Sequence, residues 1–529
     1  MTATAVELPS AGRKEWIALA VLALPTLLVS MDLSVLNLAL PHLSADLGAD
    51  SVQQLWIIDT YGFVVAAFLI TMGTLGDKVG RRKLLLIGAA AFALASVAAA
   101  FSTTTWELIS ARAAMGVAGA TLAPSTLALI ANMFYRNPKQ MGAAIGVWVS
   151  AFMGGLALGP VAGGIMLHFF WWGSVFLLAV PVMVLLLVAG PLLLPEFTNP
   201  QAGRLDPLSV VLSLAGLLPV IYGIKELAQN GWDVLPIVAI VAGVVFAALF
   251  VKRQQSLADP LVDLRLFGNR QVSAALVINI FGAVVGGGTI FVVNVWLQAV
   301  RGLSPLHAGL LMLPSGVAMV ATAMTAPAIA RKVRPAYVVA AGLTVAAIGY
   351  LALTQVHANG GLVLVIVGVT ITSAGSGPQA ALTTNLILAA SPPERSGAAA
   401  SLSETCGQLG IALGAGVMGA VATAVYGAQL DSPLPAGPTA DEAHQSIIGA
   451  LSAAGRLPGG EAGQLVSAAR TAFTDSLTAV CLISAVVLLG LAVIAARLLR
   501  DVGGGAPGGP PPEAVEAVEA AEASVEPAG

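Results

Sequence analysis

Apolar runs long enough to cross a bilayer recur along almost the whole chain, and this repetition constrains the fold more than any motif. A hydrocarbon core of about 30 Å takes roughly 20 helical residues at about 1.5 Å each. Runs of that length fall at 16–40, 54–75, 84–102, 106–133, 139–167, 170–194, 206–225, 234–251, 271–298, 304–329, 335–355, 361–390, 394–426 and 475–499. Pro219 and Pro236 interrupt the seventh and eighth. The first run ends in Pro41-His42 rather than a small-residue cleavage site, so a retained helix is expected instead of a signal peptide. Only 10% of residues are charged, against about 25% in a soluble domain. Lipid must therefore be the solvent for most of the surface. The expectation is an all-α integral membrane protein with fourteen transmembrane helices.

Charge placement gives the orientation. If successive runs cross the membrane, Lys225, Arg301, Arg456 and Arg470 face one side and Arg112 lies within a helix. The remaining Lys and Arg residues, among them Lys78, Arg81–Lys83, Arg331 and Arg334, face the other. The positive-inside rule makes that other side cytoplasmic, with both termini there. A bacterial inner-membrane location is expected. The net charge of −3 gives no basic excess for nucleic acid. Cys406 and Cys481 stand in apolar runs without His or Cys neighbours, which indicates neither a disulfide framework nor a metal site.

Three segments are polar. Residues 195–205 form a short cytoplasmic loop. Residues 427–474 form a long external loop, in which 441–453 and 461–473 have weak helical periodicity; a two-helix cap and a solvated linker are both open. Residues 501–529 are Gly/Pro-rich, then acidic with no base, and disorder is expected.

Ionisable groups within a bilayer cost at least about 2.5–3.5 kcal/mol at a helix centre. Four of them need explaining: Asp32 in the first run, Asp59 in the outer third of the second, Arg112 in the fourth and Glu404 in the thirteenth. One reading is a water-filled cavity in which these groups bind protons or cations. The other is buried ion pairs or helix–helix hydrogen bonds. No cation shares a helix with Asp32 or Glu404, which favours the first for those two. Arg112 is expected to have one acidic partner and a place in the same network. Apolar and aromatic side chains such as Trp148, Phe152, Phe291 and Trp296 are candidates for a pocket wall. The histidines are scattered near run ends and loops, so no nucleophile–base or metal cluster points to an enzyme.

Gly155, Gly159 and Gly163 are four apart in the fifth run, a bare stripe that lets another helix approach, and Pro160 can bend the helix there. Such a seam can pack tightly, and can also slide or rock. Gly410 and Gly414 are a shorter version beside Glu404. In the loop Gly73 to Lys83, Gly80 permits a turn with φ > 0, and Asp77 can accept from a helix N-terminus or from an Arg.

The loop also resembles the signature of the major facilitator superfamily, Gly-x-x-x-Asp-Arg/Lys-x-Gly-Arg-Arg/Lys, matched by Gly73, Asp77, Lys78, Gly80, Arg81 and Arg82. Leu108 to Ala120, with Arg112, is similar to the superfamily's fourth-helix signature, whose Arg is linked to proton coupling. Gly154 to Gly164 is similar to the fifth-helix signature of antiporters. Met31 to Pro41 and Trp56 to Tyr61 resemble the first two helices of fourteen-span drug:proton antiporters of the EmrB/QacA type. The resemblance spans roughly residues 13–500. It implies two six-helix bundles, 14–195 and 270–500, with two extra helices between them in 196–254, after a cytoplasmic N-terminus at 1–13. It implies alternating access and proton-coupled efflux of small amphipathic, cationic compounds, with Asp32 and Glu404 as the protonatable groups. The partners implied are substrate, protons and the bilayer; the energy source is the proton gradient, with no cofactor; a monomer is expected. Some quaternary-ammonium exporters carry an acid in the tenth span, and Leu306 to Ile329 has none. A proton-coupled importer and a non-transporting sensor on the same fold are the alternatives.

Overall fold

The computed structural model describes residues 11–49, 51–135, 137–198, 206–230, 234–257, 260–261, 264–358, 360–389, 396–430, 440, 443–444 and 446–500. The expected disordered tail and most of the 195–205 loop lie outside them, as do the side chains of Asp59 and Pro160. The described residues form helices throughout. In order these are α1 (Arg13–Leu47), α2 (Ser51–Val79), α3 (Arg81–Ala100), α4 (Thr105–Phe134), α5 (Pro138–Phe169) and α6 (Ser174–Leu193). Then come α7 (Pro207–Asn230), α8 (Val234–Ser256), α9 (Arg270–Val295, continued by a π-turn at Trp296–Val300), α10 (Pro305–Ala330) and α11 (Pro335–Leu353). Last are α12 (Leu362–Ala389), α13 (Ser396–Gln429), the short α14 (Ile447–Ala454) and α15 (Gly459–Leu498). Thirteen of them contain a stretch long and apolar enough to span a membrane, and α5 makes a fourteenth as a helix bent by 44° between Leu156 and Val161. The bend falls where Pro160 lacks the N–H that would close the ladder.

Two expectations need correction. The last helix does not begin at 475. It starts at Gly459, so the second of the two cap helices is continuous with the last span in α15. Nor does the first helix end at Pro41; α1 runs on to Leu47 and stops at Gly48 in the left-handed conformation, which puts Asp32 near the middle of the helix. The prolines of the seventh and eighth runs do not break them. Pro236 sits in the first turn of α8, where a missing N–H costs nothing, and Pro219 lies inside α7.

The same packing plan occurs twice. In the first bundle α1 lies along α5, α2 and α3 along α4, and α3 along α6. In the second, α9 lies along α13, α10 and α11 along α12, and α11 along α15. Each bundle joins its first and fifth helices through glycines. A Cβ on Gly155 or Gly159 of α5 would collide with Leu27 O and Ser30 Oγ, or with Ser34 Oγ, of α1. One on Gly410 or Gly414 of α13 would strike the Ile280 or Val284 carbonyl of α9. The 155/159/163 stripe therefore lies inside the first bundle and holds it together; it is not where the bundles meet.

The pair α7–α8 packs on α2 and α13. Asp206, just before α7, takes a bidentate pair from Arg253 of α8 at 2.5 and 2.9 Å. That guanidinium, with the Ser209 hydroxyl, holds the Asp206 carboxyl well below the usual range. Trp56 of α2 stacks on Tyr222 of α7 with centroids 6.5 Å apart.

Candidate functional site

Asp32 and Arg112 face each other across the first bundle. Arg112, on α4, is 1% exposed, and its Nη1 donates to Asp32 Oδ2 at 2.5 Å. Its Nε donates to Ile57 O at 3.2 Å and its Nη2 to Ile58 O at 3.4 Å, both on α2. The Tyr61 ring lies 4.7 Å from the guanidinium carbon and the Phe176 ring 6.0 Å. One cation thus ties α1, α2, α4 and α6 together. A guanidinium suits this role because its planar fork serves several acceptors while its face stacks on an aromatic ring. The ion pair that the first reading of Asp32 left out is present: in this conformation the carboxylate is engaged by Arg112.

Glu404, on α13, stands on the other bundle. It is half-buried, and Gln408 one turn later donates to it at 2.9 Å. No salt bridge to it occurs among the described residues. Next to it in sequence, Ser403 accepts from Asn279 Nδ2 of α9 at 3.0 Å through its carbonyl and 3.3 Å through its hydroxyl. α13 packs on α2 and α4, so the helix that carries Glu404 touches those that carry Tyr61 and Arg112. The Tyr61 hydroxyl is buried with no hydrogen-bond partner among the described residues. Sequence reading missed Tyr61; the signal available was a tyrosine two residues beyond Asp59 in an otherwise apolar helix.

The four aromatic candidates do not converge. Trp148 and Phe152 stack on one face of α5, centroids 6.2 Å apart, and Trp148 Nε1 donates to Thr126 Oγ1 of α4 at 3.0 Å. Trp296 is fully enclosed and donates to Thr474 Oγ1 of α15 at 3.0 Å, so it offers a ligand no surface here. Phe291 is largely exposed on α9.

The bundles meet on a different face of α5 from the glycine stripe. A Cβ on Gly142 would lie 3.2 Å from Pro327 of α10 and 3.3 Å from Asn385 of α12, and one on Gly146 3.2 Å from Ala323 O. Ser150 Oγ donates to Val320 O at 3.5 Å. One turn on along the same stripe, a Cβ on Gly154 would meet nothing within 4 Å, and Leu158 is exposed. The contact is therefore made in the half of the molecule that carries the basic α2–α3 and α10–α11 turns, called the basic end below, and the gap opens from mid-bundle onward. Gly407, beside Glu404, also borders open space.

At the basic end Arg81 is buried, ion-paired with Asp77, and donates from Nη2 to Gly73 O at 2.6 Å. Gly80 has φ 113°, a conformation that favours glycine. The carboxylate of Glu196, beyond α6, accepts from the backbone N–H groups of Arg82 and Lys83 at 3.0 and 3.2 Å and pairs with the Arg82 side chain at 3.5 Å. Glu196 is a second residue that sequence reading missed, because 114 positions separate it from Arg82.

Two helical bundles of repeated plan, a buried carboxylate–guanidinium pair at mid-depth and a basic, glycine-turned loop define a secondary transporter, not an enzyme. The chain belongs to the Major Facilitator Superfamily, whose family model matches residues 22–415. It is 39% identical to the multidrug efflux pump LfrA of Mycolicibacterium smegmatis over 92% of this chain and 97% of that one. It is 34% identical to the methyl viologen resistance protein SmvA of Salmonella typhimurium, over 87% and 93%. It is 28% identical to the tetracenomycin C resistance and export protein of Streptomyces glaucescens, over 92% of each. Among solved structures, a bacterial homologue of the human lysosomal transporter Spinster, inward-facing and unoccupied, superposes with a TM-score of 0.57 at 17% identity, covering 93% of this chain and 98% of that one. The chain is a multi-pass membrane transporter that falls with the superfamily's multidrug efflux proteins.

Proposed function

We propose that the protein expels amphipathic, cationic small molecules from the cell in exchange for protons. The observation that carries this reading is the unequal state of the two carboxylates. Asp32 is neutralised by Arg112, whereas among the described residues Glu404 is met by Gln408 and by no cation, one turn from Gly407, which borders open space. Glu404 is the group free to hold a cationic passenger. A proton arriving at Asp32 would release Arg112, which lies over the Tyr61 ring on a helix, α4, that packs against the α13 carrying Glu404. Exchange of one proton for one monovalent cation moves no net charge, so the pH gradient alone would drive it. A second proton would add about 2.3 kcal/mol per 100 mV of membrane potential.

The positive-inside rule makes the basic end cytoplasmic. On that reading the structure is closed toward the cytoplasm and open outward, and both termini are cytoplasmic. The relatives' names, which speak of multidrug efflux, methyl viologen resistance and tetracenomycin C export, support the substrate class. The test is proton-driven uptake of a lipophilic cationic dye into everted vesicles. Wild type accumulates dye when the interior is acidified, and Asp32→Asn and Glu404→Gln each abolish accumulation. Wild-type rates in both variants overturn the reading.

A further inference from the structure

At the end opposite the basic one, α15 runs well past the thickness of a bilayer. Its 40 residues make about 60 Å of helix at ~1.5 Å each, twice the roughly 30 Å hydrocarbon core. The part that begins at Gly459 therefore projects from the membrane, and α14 packs on it. Tyr426 fixes this cap, with its hydroxyl donating to Ala443 O at 3.0 Å and its ring edge-to-face with Phe473 at 6.3 Å.

Between α14 and α15 lies a groove of about 550 Å³, open to solvent on one side. Gly455, Ala462 and Gly463 are small, so the space is not filled by side chains. The polar side chains lining it are Ser467 and Arg470, and none of the residues that line it is acidic. Arg470 Nε is enclosed and has no hydrogen-bond partner among the described residues. A guanidinium N–H withdrawn from water without an acceptor carries the full desolvation cost. An anion that accepts from it removes that cost through a charge-assisted bond. The nearest acid in sequence, Asp475 on the same helix, is exposed and is not among the residues that line the space.

We propose that this groove binds a small organic anion, a phosphate or carboxylate group carrying a short apolar portion, with Arg470 and Ser467 on the anionic head and the alanine- and glycine-lined walls around the carbon. The site is chemically opposite to the cation-accepting centre at Glu404. It also stands one helical turn from the contact that fixes the end of α9: Trp296 donates to Thr474 Oγ1, and Thr474 donates to Arg470 O at 2.8 Å.

The test uses the full chain in detergent micelles at fixed ionic strength. Butyl phosphate and inorganic phosphate are titrated by calorimetry, and retention of an anionic against a zwitterionic phospholipid is read by native mass spectrometry. Wild type binds at least one of the anionic probes. Arg470→Gln, which removes the charge, and Ala462→Leu, which fills the space and keeps the charge, each weaken that binding at least about tenfold. Binding of the soluble phosphates identifies a free metabolite as the source; retention of anionic lipid alone identifies a headgroup; both support the site. The two variants act by unrelated means, so the loss of one to misfolding leaves the other decisive. Absence of binding by every anionic probe, or wild-type affinity in a folded variant, overturns the proposal. The readout is binding, so it stands apart from whether the chain exports cations.

Discussion

Arg112 reaches from α4 to Asp32 on α1 while its other nitrogens donate to two consecutive carbonyls, Ile57 and Ile58, on α2. The pair is thus both a proton-sensitive charge and a structural node, and the two roles separate in a double-mutant cycle. Removing one partner leaves a charge buried in low dielectric and costs about 3–5 kcal/mol, whereas replacing both with neutral groups costs far less. Arg112→Gln alone is expected to lower the unfolding midpoint strongly, and Asp32→Asn in the same chain to recover most of the loss. Thermal unfolding of the four proteins in detergent measures this. A double variant as unstable as Arg112→Gln would show that the pair does not carry the coupling.

Gly142 and Gly146 set how closely the bundles approach at the basic end. Gly146→Leu has no room against Ala323 O and is expected to hold that end apart, abolishing transport while leaving each bundle folded. In a background carrying Cys406→Ala and Cys481→Ala, a cysteine at Asn385 should react several-fold faster with a polar thiol reagent once Gly146 is Leu. Unchanged labelling would place the closing contact elsewhere.

The two glycines at 154 and 155 are adjacent and predict opposite outcomes. A methyl at 155 meets the Leu27 carbonyl and the Ser30 hydroxyl, and one at 154 meets nothing. Gly155→Ala should lose folded protein by fluorescence-detected size exclusion, and Gly154→Ala should match wild type.

Glu196 satisfies two N–H groups at the start of α3. Its replacement by Ala is expected to cost about 0.5–2 kcal/mol, as for other helix N-caps. Glu196→Gln, which keeps an oxygen acceptor, should recover part of it. Unfolding midpoints of the three proteins decide.

Arg253 and Ser209 hold the Asp206 carboxyl below its ordinary range. A carboxylate with a depressed folded-state pKa contributes stability that is complete above the unfolded value, about 3.9, and is lost as pH falls through the folded value. The difference in midpoint between wild type and Asp206→Asn should therefore be constant from about pH 8 to pH 5 and shrink below about pH 4. A difference that already fades between pH 7 and pH 5 would mean the α7–α8 clamp is not held by this pair.

Much of the fold was legible in the sequence because each span must satisfy its own backbone within lipid. Length and apolar content then report a helix without reference to any neighbour. The prolines at 219 and 236 show the limit of that rule: their effect depended on where each helix began, a tertiary boundary. The start of α15 was misplaced for the same reason. Its first fifteen residues are polar enough to read as a loop, and they are helical because α14 and Tyr426 pack against that end of the molecule.

The sequence by itself determined the number of spans, the charge asymmetry between their ends and the presence of rare charges at mid-depth, since each is a property of a single segment in its solvent. The tertiary structure decided that Asp32 is ion-paired while no cation meets Glu404 among the described residues, that the Tyr61 ring lies under Arg112, that Glu196 caps α3 and that Gly142 and Gly146 rather than the 155/159/163 stripe bring the bundles together. Those relations join residues tens to hundreds of positions apart, and the free energy of a buried charge or a bare glycine is set by what packs against it.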